Sequence, residues 1–477
     1  EELSRFLHEI TGAVYPVLED PTSAAACQIR IGYRLCVEQT DAVVDFAKLG
    51  SDGFVIIARD QRIMIAGNSP RGILNGVYTF LENQLGCRWF APGVSRIPKR
   101  NRIDIPFLTE EHIPAFNYRE AYLKDGSDTD WAARNKLNGH SYGLEHRHGS
   151  GISYARFVHT FNEIASPDDW YDEHPEYFSL VDGKRLRRHT QLCLTNSAVL
   201  ALAVLKVKQW LTEQPEATIV SVSQNDCYNP CTCDQCRAVD EYEGSHSGTL
   251  IHFVNRVAEA IADEYPQVFV DTLAYQYTRK APLHVKPHPR VIVRLCSIEC
   301  CFSHPLEECR VISWPFNQVA PPDTTFADDL RDWSRICDRI YIWDYVTNFA
   351  HYLEPFPNLR VLAPNLRFFA DHHVRGVFEQ GNYQSGGGDF APLKAYVLAK
   401  LLWNPRLDSE ALMAEFAEGY YGQSADYILA YIRLLHDACE QSDTHLGIYD
   451  PPAHNYLASE LLNRSEEHTS ELQSPNT

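Results

Sequence analysis

The stretch IVSVSQNDCYNPCTCDQC, residues 219–236, is the part of the chain that is most informative about its fold. It begins with a β-branched run that suits a buried strand, and Pro230 with the polar residues around it ends that strand. An amide, Asn225, and a carboxylate, Asp226, follow the strand at once. Polar side chains at the C-terminal tip of a buried strand are typical of the active sites of β/α barrels. The stretch therefore predicts a barrel strand that carries an active-site pair.

The sequence on both sides of this stretch alternates between strand-like and helix-like segments. The predicted strands are Phe116–Ala121, Lys136–Gly139, His189–Thr195, Ala217–Ser223, Val268–Tyr275, Val291–Leu295, Arg339–Asp344 and Val374–Glu379. Eight strands that alternate with helices predict an α/β protein with a (β/α)₈ TIM barrel over residues 111–405. The alternative is an open doubly wound sheet, but the sequence lacks the Gly-rich first turn of that fold.

Further regions are predicted before and after the barrel. Residues 1–110 contain short β-rich runs and a helix that opens at the turn formed by residues 68–72, so they predict a small α/β accessory domain. Residues 406–463 have a helical pattern, and we expect the start of a helical C-terminal region that is truncated. Residues 464–477 have no core pattern and are predicted to be a disordered or artefactual tail.

Composition excludes several classes of partner. The net charge is −20, from 63 acidic and 43 basic residues, so nucleic acids and anionic membrane surfaces are poor candidate partners. No apolar run reaches the roughly 18 residues of a membrane span. Aromatic residues make up 12% of the chain, and aromatic rings that stack on sugar faces are consistent with a carbohydrate site. The chain starts with Glu and shows no signal peptide, so we expect a mature or truncated protein.

The predicted strands end in carboxylates, amides and phenols, which would meet at one mouth of a barrel. Glycoside hydrolysis needs a proton donor at the leaving oxygen and a group that stabilises an oxocarbenium-like centre. Asp226 is the expected catalytic acid and Glu299 the next candidate, while Asn225 can hydrogen-bond a substrate amide. A helix cap or an Asx turn is the alternative role for the Asn225–Asp226 pair. The expected substrate-binding side chains are Tyr275, Trp343, Asp344, Tyr345, Arg119 and Glu379.

Seven of the 14 cysteines fall in two groups, at residues 227–236 and 300–309. Such groups indicate disulfides in an oxidising compartment or a structural Zn²⁺. Cys231, Cys233 and Cys236 give three thiols, and a cysteine of the second group, such as Cys309, would supply a fourth across two strands. The spacing does not decide between zinc and disulfides. Structural zinc is therefore possible, and we expect that no cofactor is required.

Several motifs together resemble known glycoside hydrolases. NSPRGILNGVYTFLE at 68–82 and LGCRWF at 85–90 resemble the accessory domain that precedes the barrel in family 20 hexosaminidases and family 67 α-glucuronidases. The motifs VSQNDC at 222–227, WDY at 343–345 and FEQG at 378–381, with the cysteine group, are similar to a bacterial family long catalogued as a domain of unknown function. Part of that family is glycoside hydrolase family 163, which contains endo-β-N-acetylglucosaminidases that act on complex N-glycans.

The resemblance to family 20 implies roles for individual residues. The pair that polarises the acetamido group and then donates the proton falls on Asn225–Asp226. The arginine that grips sugar hydroxyls falls on Arg119, the tyrosine that contacts the N-acetyl oxygen on Tyr345, and the glutamate that binds hydroxyls on Glu379. Family 20 has Asp-Glu where this chain has Asn-Asp, so the acid has a shorter reach and Glu299 or Glu379 is an alternative acid.

The sequence thus predicts a retaining glycoside hydrolase that cleaves an N-acetylglucosamine-containing glycan, with the substrate's own acetamido group assisting. Two alternatives are an α-glucuronidase-like inverting hydrolase and a non-catalytic glycan-binding protein. The expected partner is the glycan substrate, and the sequence gives no oligomeric state. We expect a secreted, periplasmic or surface-attached location.

Overall fold

The computed structural model of the chain describes residues 1–18, 28–33, 44–59, 61–311 and 324–450. The chain divides into two compact units, the first made of Glu1–Gly151 with Gly381–Arg433 and the second of Ile152–Gln380 with Leu434–Thr477. The predicted tail at 464–477 and the residues from 451 onward in the predicted helical region lie outside the described residues. The predicted domain boundaries near residues 110 and 405 stay predictions.

Strands and helices follow one another along both units. The strands are β1 (Gln28–Gly32), β2 (Phe54–Arg59), β3 (Arg62–Gly67), β4 (Arg88–Ala91), β5 (Val94–Arg96), β6 (Leu108–His112), β7 (Tyr118–Tyr122), β8 (Leu180–Val181), β9 (Lys184–Arg185), β10 (Ile219–Ser221), β11 (Phe269–Ala274), β12 (Val291–Cys296), β13 (Ile340–Tyr345) and β14 (Val374–Gln380). The α-helices are α1 (Glu2–Thr11), α2 (Phe46–Leu49), α3 (Pro70–Asn83), α4 (Thr129–Arg134), α5 (Phe161–Ile164), α6 (Pro167–Trp170), α7 (Ser197–Glu213), α8 (Asp234–Glu243), α9 (His246–Ile261), α10 (Phe326–Ile336), α11 (Leu359–Asp371), α12 (Ala391–Trp403), α13 (Ser409–Tyr421) and α14 (Ala425–Gln441). Within the described residues, none of these helices has the length and apolar character needed to cross a membrane.

The first unit contains a mixed sheet in the order β1-β3-β2-β6. β1 runs parallel to β3, and β2 is antiparallel to both β3 and β6. Helix α3 packs against this sheet, and it begins where the sequence predicts, because Ser69 accepts a hydrogen bond from the Gly72 amide and Pro70 occupies the first turn. The predicted α/β character of this region is confirmed.

The second unit contains a curled parallel sheet, a half-barrel, in which β10, β11, β12, β13 and β14 pair in chain order. Their side chains are buried almost throughout, as expected for parallel strands that are covered on both faces. The crossover helices include α9 between β10 and β11 and α11 between β13 and β14. The mixed α/β class is therefore confirmed, while the complete eight-stranded barrel stays a prediction.

Two of the predicted strands are wrong. Lys136–Gly139 does not form a regular strand, because Lys136 has a φ of 63° and the chain turns there. His189–Thr195 does not join the parallel sheet: Leu192 forms an isolated antiparallel bridge to Phe178. The position beside β10 is taken instead by Tyr154, which forms an isolated parallel bridge to Ile219.

Candidate active site

The C-terminal ends of the parallel strands in the second unit bring most of the predicted site residues to one edge of the sheet. Asn225 and Asp226 follow β10, Tyr275 follows β11, and Glu299 follows β12. Trp343, Asp344 and Tyr345 end β13, and Glu379 lies at the end of β14. Since neighbouring parallel strands end at the same edge, these side chains belong to one region of the fold. Arg119 lies in the first unit, on β7.

Asp226 and Tyr275 form a hydrogen-bonded pair at this edge. The Tyr275 hydroxyl donates to Oδ1 of Asp226 at 3.0 Å, and Nε2 of Gln276 donates to the Tyr275 hydroxyl at 3.0 Å. Tyr275 is buried, whereas Asp226 is exposed. Burial raises the pKa of Tyr275 well above its usual range, and the Asp226 charge adds to that shift, so the phenol stays protonated. Asp226 is thus an exposed carboxylate that is held in place from one side.

Glu299 is a buried carboxyl group with one satisfied oxygen. Its side chain is fully enclosed, and Nη1 of Arg279 lies 3.4 Å from Oε2. The same arginine pairs with Asp329 at 2.5 Å. Oε1 of Glu299 has no hydrogen-bond partner among the described residues. Burial raises the pKa of Glu299, and the Arg279 charge opposes part of that rise. A buried, half-satisfied carboxyl group is costly to the fold and is typical of a functional site.

Three phenols lie close enough to Glu299 to respond to its charge. Burial raises the pKa of Tyr228, Tyr275 and Tyr345, and in each case the Glu299 charge adds to the shift. Tyr345 is buried and packs edge-on against Phe302, with ring centroids 6.1 Å apart. The surroundings of Glu299 therefore offer hydroxyl donors that stay protonated at neutral pH.

Trp343 supplies a half-buried aromatic surface on the same face of the sheet as Tyr345. Its indole stacks on Phe157 with ring centroids 5.6 Å apart and meets Phe378 edge-on at 4.7 Å. Nε1 donates to Oε1 of Gln380 at 2.8 Å. Because part of this fixed ring reaches solvent, it can present an apolar face to a sugar.

Asp344 and Glu379 form a second buried carboxyl pair on neighbouring strands. The two residues are register partners between β13 and β14, and strand alternation puts them on the face opposite to Trp343. Ser297 donates to Oδ1 of Asp344 at 2.5 Å, while Oε2 of Glu379 has no partner among the described residues. Burial raises the pKa of Asp344 to about 6, and burial followed by the Asp344 charge raises that of Glu379 well above its usual range. This pair therefore keeps a proton at pH values where exposed carboxyls have lost theirs.

The amide of Asn225 is occupied by the protein. Oδ1 accepts from the Asn162 amide at 3.0 Å, and Nδ2 donates to Oδ1 of Asn162 at 2.9 Å and to the Thr190 carbonyl at 2.8 Å. The backbone amide of Asn225 donates to Oε1 of Gln191 at 2.8 Å. The amide thus ties the loop of Asp226 to two neighbouring segments, which leaves it little capacity for a substrate.

Arg119 is enclosed in the first unit. Its side chain has no exposed surface, and Nη2 lies 3.5 Å from Oδ1 of Asp52. Nε donates to the Lys136 carbonyl at 2.9 Å, and Nη1 donates to the Phe116 carbonyl at 2.7 Å. In this geometry the guanidinium is committed to the interior of its own unit and has no surface with which to grip a sugar.

The cysteines group differently from the expectation. The fourth thiol beside Cys231, Cys233 and Cys236 is Cys193, not Cys309. Cys309 lies in a second cluster with Cys301, His304 and His445. The sequence analysis missed Cys193 and His445. Cys193 lies 38 positions before Cys231, and His445 lies 136 positions after Cys309, so no local spacing connects them to their clusters. The described cysteines form no disulfide.

Comparisons with known proteins place this geometry in context. The sequence model of the family described as "Domain of unknown function (DUF4838)" matches residues 89–433. No curated protein matches the chain. A family GH115 4-O-methyl-α-glucuronidase with specificity for decorated arabinogalactans superposes with a TM-score of 0.56 at 11% identity, covering 99% of this chain and 65% of the glucuronidase. The chain therefore shares the fold of that protein and spans about 65% of its length.

Two other solved structures are similar at lower scores. The β-N-acetylhexosaminidase of Bacteroides fragilis has a TM-score of 0.46 at 12% identity, covering 96% of this chain and 92% of the hexosaminidase. The chitobiase of Flavobacterium johnsoniae has a TM-score of 0.47 at 12% identity, covering 91% of this chain and 67% of the chitobiase.

Proposed function

The chain belongs to the DUF4838 family, and we propose that it is a retaining glycoside hydrolase acting on a glycan that contains N-acetylglucosamine. One observation carries the proposal: Glu299, an enclosed carboxyl group with an unpartnered oxygen, lies at the same sheet edge as the exposed Asp226 carboxylate. Glycoside hydrolysis uses two carboxyl groups in unlike environments, one that gives a proton and one that stays charged.

The proposed roles differ from those expected from the sequence, in which Asp226 is the first candidate for the acid and Glu299 the next. We assign the proton donor to Glu299, because burial raises its pKa and its Oε1 has no hydrogen-bond partner among the described residues. Asp226 is exposed, and its Oδ1 accepts a hydrogen bond from the Tyr275 hydroxyl at 3.0 Å. It accepts the N–H of the substrate acetamido group, the role that the sequence predicts for Asn225. Asn225 instead positions the loop, since its amide already bonds Asn162 and Thr190.

The reaction then proceeds in two steps. The glycosidic oxygen takes the proton of Glu299 as its bond to C1 breaks, and the acetamido oxygen of the same sugar forms a bond to C1. Water next displaces that oxygen from C1 and returns a proton to Glu299, so the product keeps its anomeric configuration. The Tyr345 phenol donates to the acetamido oxygen, and Trp343 stacks on the sugar face. A secreted, periplasmic or surface-attached location is part of the proposal.

The test compares glycan and aryl substrates. We expect the protein to release sugars from N-glycoproteins, seen by mass spectrometry, and to cleave aryl N-acetylglucosaminides with retention of configuration, seen by NMR. Glu299→Gln should lower kcat on the glycan by about 10²–10⁴-fold. The loss should be smaller on an aryl substrate, because a phenolate leaves without full protonation. The control is Glu308→Gln, an exposed position on the following loop, which should keep wild-type activity.

Each other outcome contradicts part of the proposal. Full activity of Glu299→Gln on the glycan would remove Glu299 from the acid role, and full activity of Asp226→Asn would remove Asp226 from the polarising role. An inverted product would favour the α-glucuronidase-like alternative. Binding of the glycan without hydrolysis at any pH would make the protein a glycan-binding module.

A further inference from the structure

Four side chains of the second unit converge on one point outside the carboxyl groups described above. They are Cys301, His304, Cys309 and His445, whose ligand atoms all lie within 4.8 Å of one another. Sγ of Cys301 is 3.3 Å from Nδ1 of His304 and 3.3 Å from Nδ1 of His445, and Sγ of Cys309 is 3.5 Å from Nδ1 of His445. A hydrogen bond brings two side chains together, whereas here four side chains approach one centre.

These distances match a tetrahedral zinc site. Zn–S bonds of about 2.3 Å and Zn–N bonds of about 2.0–2.1 Å give tetrahedral edges of about 3.5 Å between sulfur and nitrogen. The observed sulfur–nitrogen separations are 3.3–3.5 Å. Two cysteines with two histidines form one of the common structural zinc sets.

An exposed carboxylate lies near the outer ring nitrogens of the two histidines. Oδ1 of Asp443 lies 3.5 Å from Nε2 of His304 and 4.0 Å from Nε2 of His445. Histidines that bind zinc through one ring nitrogen commonly direct the other toward a carboxylate, which fixes the tautomer and the ring orientation. The Nδ1 atoms, which face the cysteines, are then the ligand atoms.

A second cluster meets the same geometric criterion independently. Cys193, Cys231, Cys233 and Cys236 converge within 4.8 Å, and Sγ of Cys193 lies 3.7 Å from that of Cys233 and 3.9 Å from that of Cys236. Four thiolates around Zn²⁺ have edges of about 3.8 Å, whereas a disulfide would bring two sulfurs to about 2.05 Å.

The surroundings of this second cluster suit negatively charged sulfur. The Leu180 amide lies 3.4 Å from Sγ of Cys231, and Nη1 of Arg185 lies 3.7 Å from the same atom. The guanidinium and the N–H offset the excess negative charge that four thiolates leave on a zinc centre.

We propose that the second unit holds two structural Zn²⁺ ions, one in each cluster. Both sets already supply four protein ligands, so neither leaves the open position that a catalytic zinc needs. Each ion would fix a loop that carries a candidate catalytic carboxyl group. Cys301 follows Glu299 by two residues, and Gln191, two residues before Cys193, bonds the Asn225 backbone beside Asp226.

The experiment measures zinc in the whole purified chain by plasma mass spectrometry, without chelators. The wild type should contain two zinc ions per chain. Cys233→Ser and His445→Ala should each contain one, while the control Cys337→Ser, a buried cysteine outside both clusters, should keep both. Circular dichroism shows whether each variant is folded.

A second measurement on the wild type keeps the proposal testable where a variant fails to fold. After exchange with Co²⁺, both sites should give the intense thiolate-to-cobalt absorption of tetrahedral sulfur ligation. An intact mass lowered by the hydrogens of a disulfide would overturn the site whose cysteines are joined. Absence of zinc together with no uptake of Zn²⁺ or Co²⁺ would overturn both sites. If the wild type contains only one zinc ion per chain, the site whose variant has the same zinc content as the wild type would be overturned.

Discussion

The side chain of Asn225 holds the loop that carries Asp226, the proposed polarising residue. Its amide makes hydrogen bonds to Asn162 and to the Thr190 carbonyl, and it is almost fully buried. Asn225→Ala would leave those groups unpaired in the interior. We expect a loss of about 2–4 kcal/mol in the free energy of unfolding, from three hydrogen bonds of about 1 kcal/mol each. Urea unfolding measures the loss.

A double-mutant cycle separates this positioning role from substrate contact. Asn162→Ala removes the facing oxygen, so its effect should not add to that of Asn225→Ala, with a coupling energy of about 0.5–1.5 kcal/mol. If Asn225→Ala has wild-type stability but loses turnover, Asn225 contacts the substrate after all.

The Asp344–Glu379 pair makes stability depend on pH with a definite sign. Both pKa values are raised in the folded state, that of Asp344 to about 6, because burial disfavours the charged forms. Between pH values of about 4 and about 6 the folded chain binds more protons than the unfolded chain, so this pair lowers stability as the pH rises. Glu379→Gln removes one charge of the pair. Its melting temperature relative to wild type should therefore increase between pH values of about 4 and about 7.

Differential scanning calorimetry at both pH values measures this change. The effect of burying an amide in place of a carboxyl group is the same at both pH values, so it cancels in the comparison. The control Glu308→Gln replaces an exposed carboxylate, and its melting temperature should differ from that of wild type by the same amount at both pH values. A pH-independent offset for Glu379→Gln would contradict the raised pKa values of the pair.

The sequence indicates which residue types end the strands but not how they are used. A polar tip on a buried strand predicts Asp226, Glu299 and Glu379, because the alternation of strand and loop is a local property. Asn225 is hydrogen-bonded to Asn162, and Arg119 is paired with Asp52. Both partners are distant in the chain, and no sequence pattern connects them to the site. Long-range hydrogen bonding therefore decides what these two side chains do.

At the scale of elements, the strands that could be predicted are those with continuous apolar runs. β11, β12, β13 and β14 lie where β-branched and aromatic residues cluster, and the predicted bounds differ by one or two residues. His189–Thr195 has a shorter apolar run and does not join the parallel sheet, because Gln191 bonds the Asn225 backbone and Cys193 lies in a cysteine cluster. Such long-range side-chain interactions outweigh the intrinsic preference of a segment for the strand conformation.

A buried charge cluster links three segments of the first unit. Glu82 near the end of α3 pairs with Lys136 and with Lys400 of α12, and all three side chains are buried. Burial alone would raise the pKa of Glu82, but the two ammonium groups lower it to about 2. Glu82→Gln would leave two buried cations without a counter-charge, which should cost about 3–5 kcal/mol at neutral pH.

The pH dependence of this variant identifies the cause. A carboxyl whose pKa is lowered on folding stabilises the protein above its unfolded pKa of about 4.5, and that stability is lost as the pH falls toward about 2. The difference between wild type and Glu82→Gln in urea unfolding should thus be smaller at a pH of about 3 than at about 7. The exposed Glu418→Gln on α13 is the control and should stay within about 0.5 kcal/mol of wild type. An equal difference at both pH values would contradict the ion-pair account.

At the scale of the whole molecule, the net charge of −20 bears on which glycans the protein can accept. A field of one sign slows the approach of substrates that carry the same sign, and salt removes the effect because the Debye length is only about 10 Å at 0.1 M. The basic group beside Glu299 is Arg279, which is buried and already paired with Asp329. A uronate or another acidic sugar would therefore meet repulsion, because the cation beside Glu299 among the described residues is already paired.

Salt dependence distinguishes the proposed neutral substrate from the acidic alternative. For a glycan with several carboxylate-bearing sugars, kcat/KM should rise at least about twofold between about 20 and about 200 mM salt, because screening weakens the repulsion. For the same glycan after removal of the acidic sugars, kcat/KM should stay constant over that range, so each substrate is the control for the other. Faster cleavage of the acidic glycan at low salt would mean that a cationic pocket binds it. That result would favour the uronate-cleaving alternative over an N-acetylglucosaminidase.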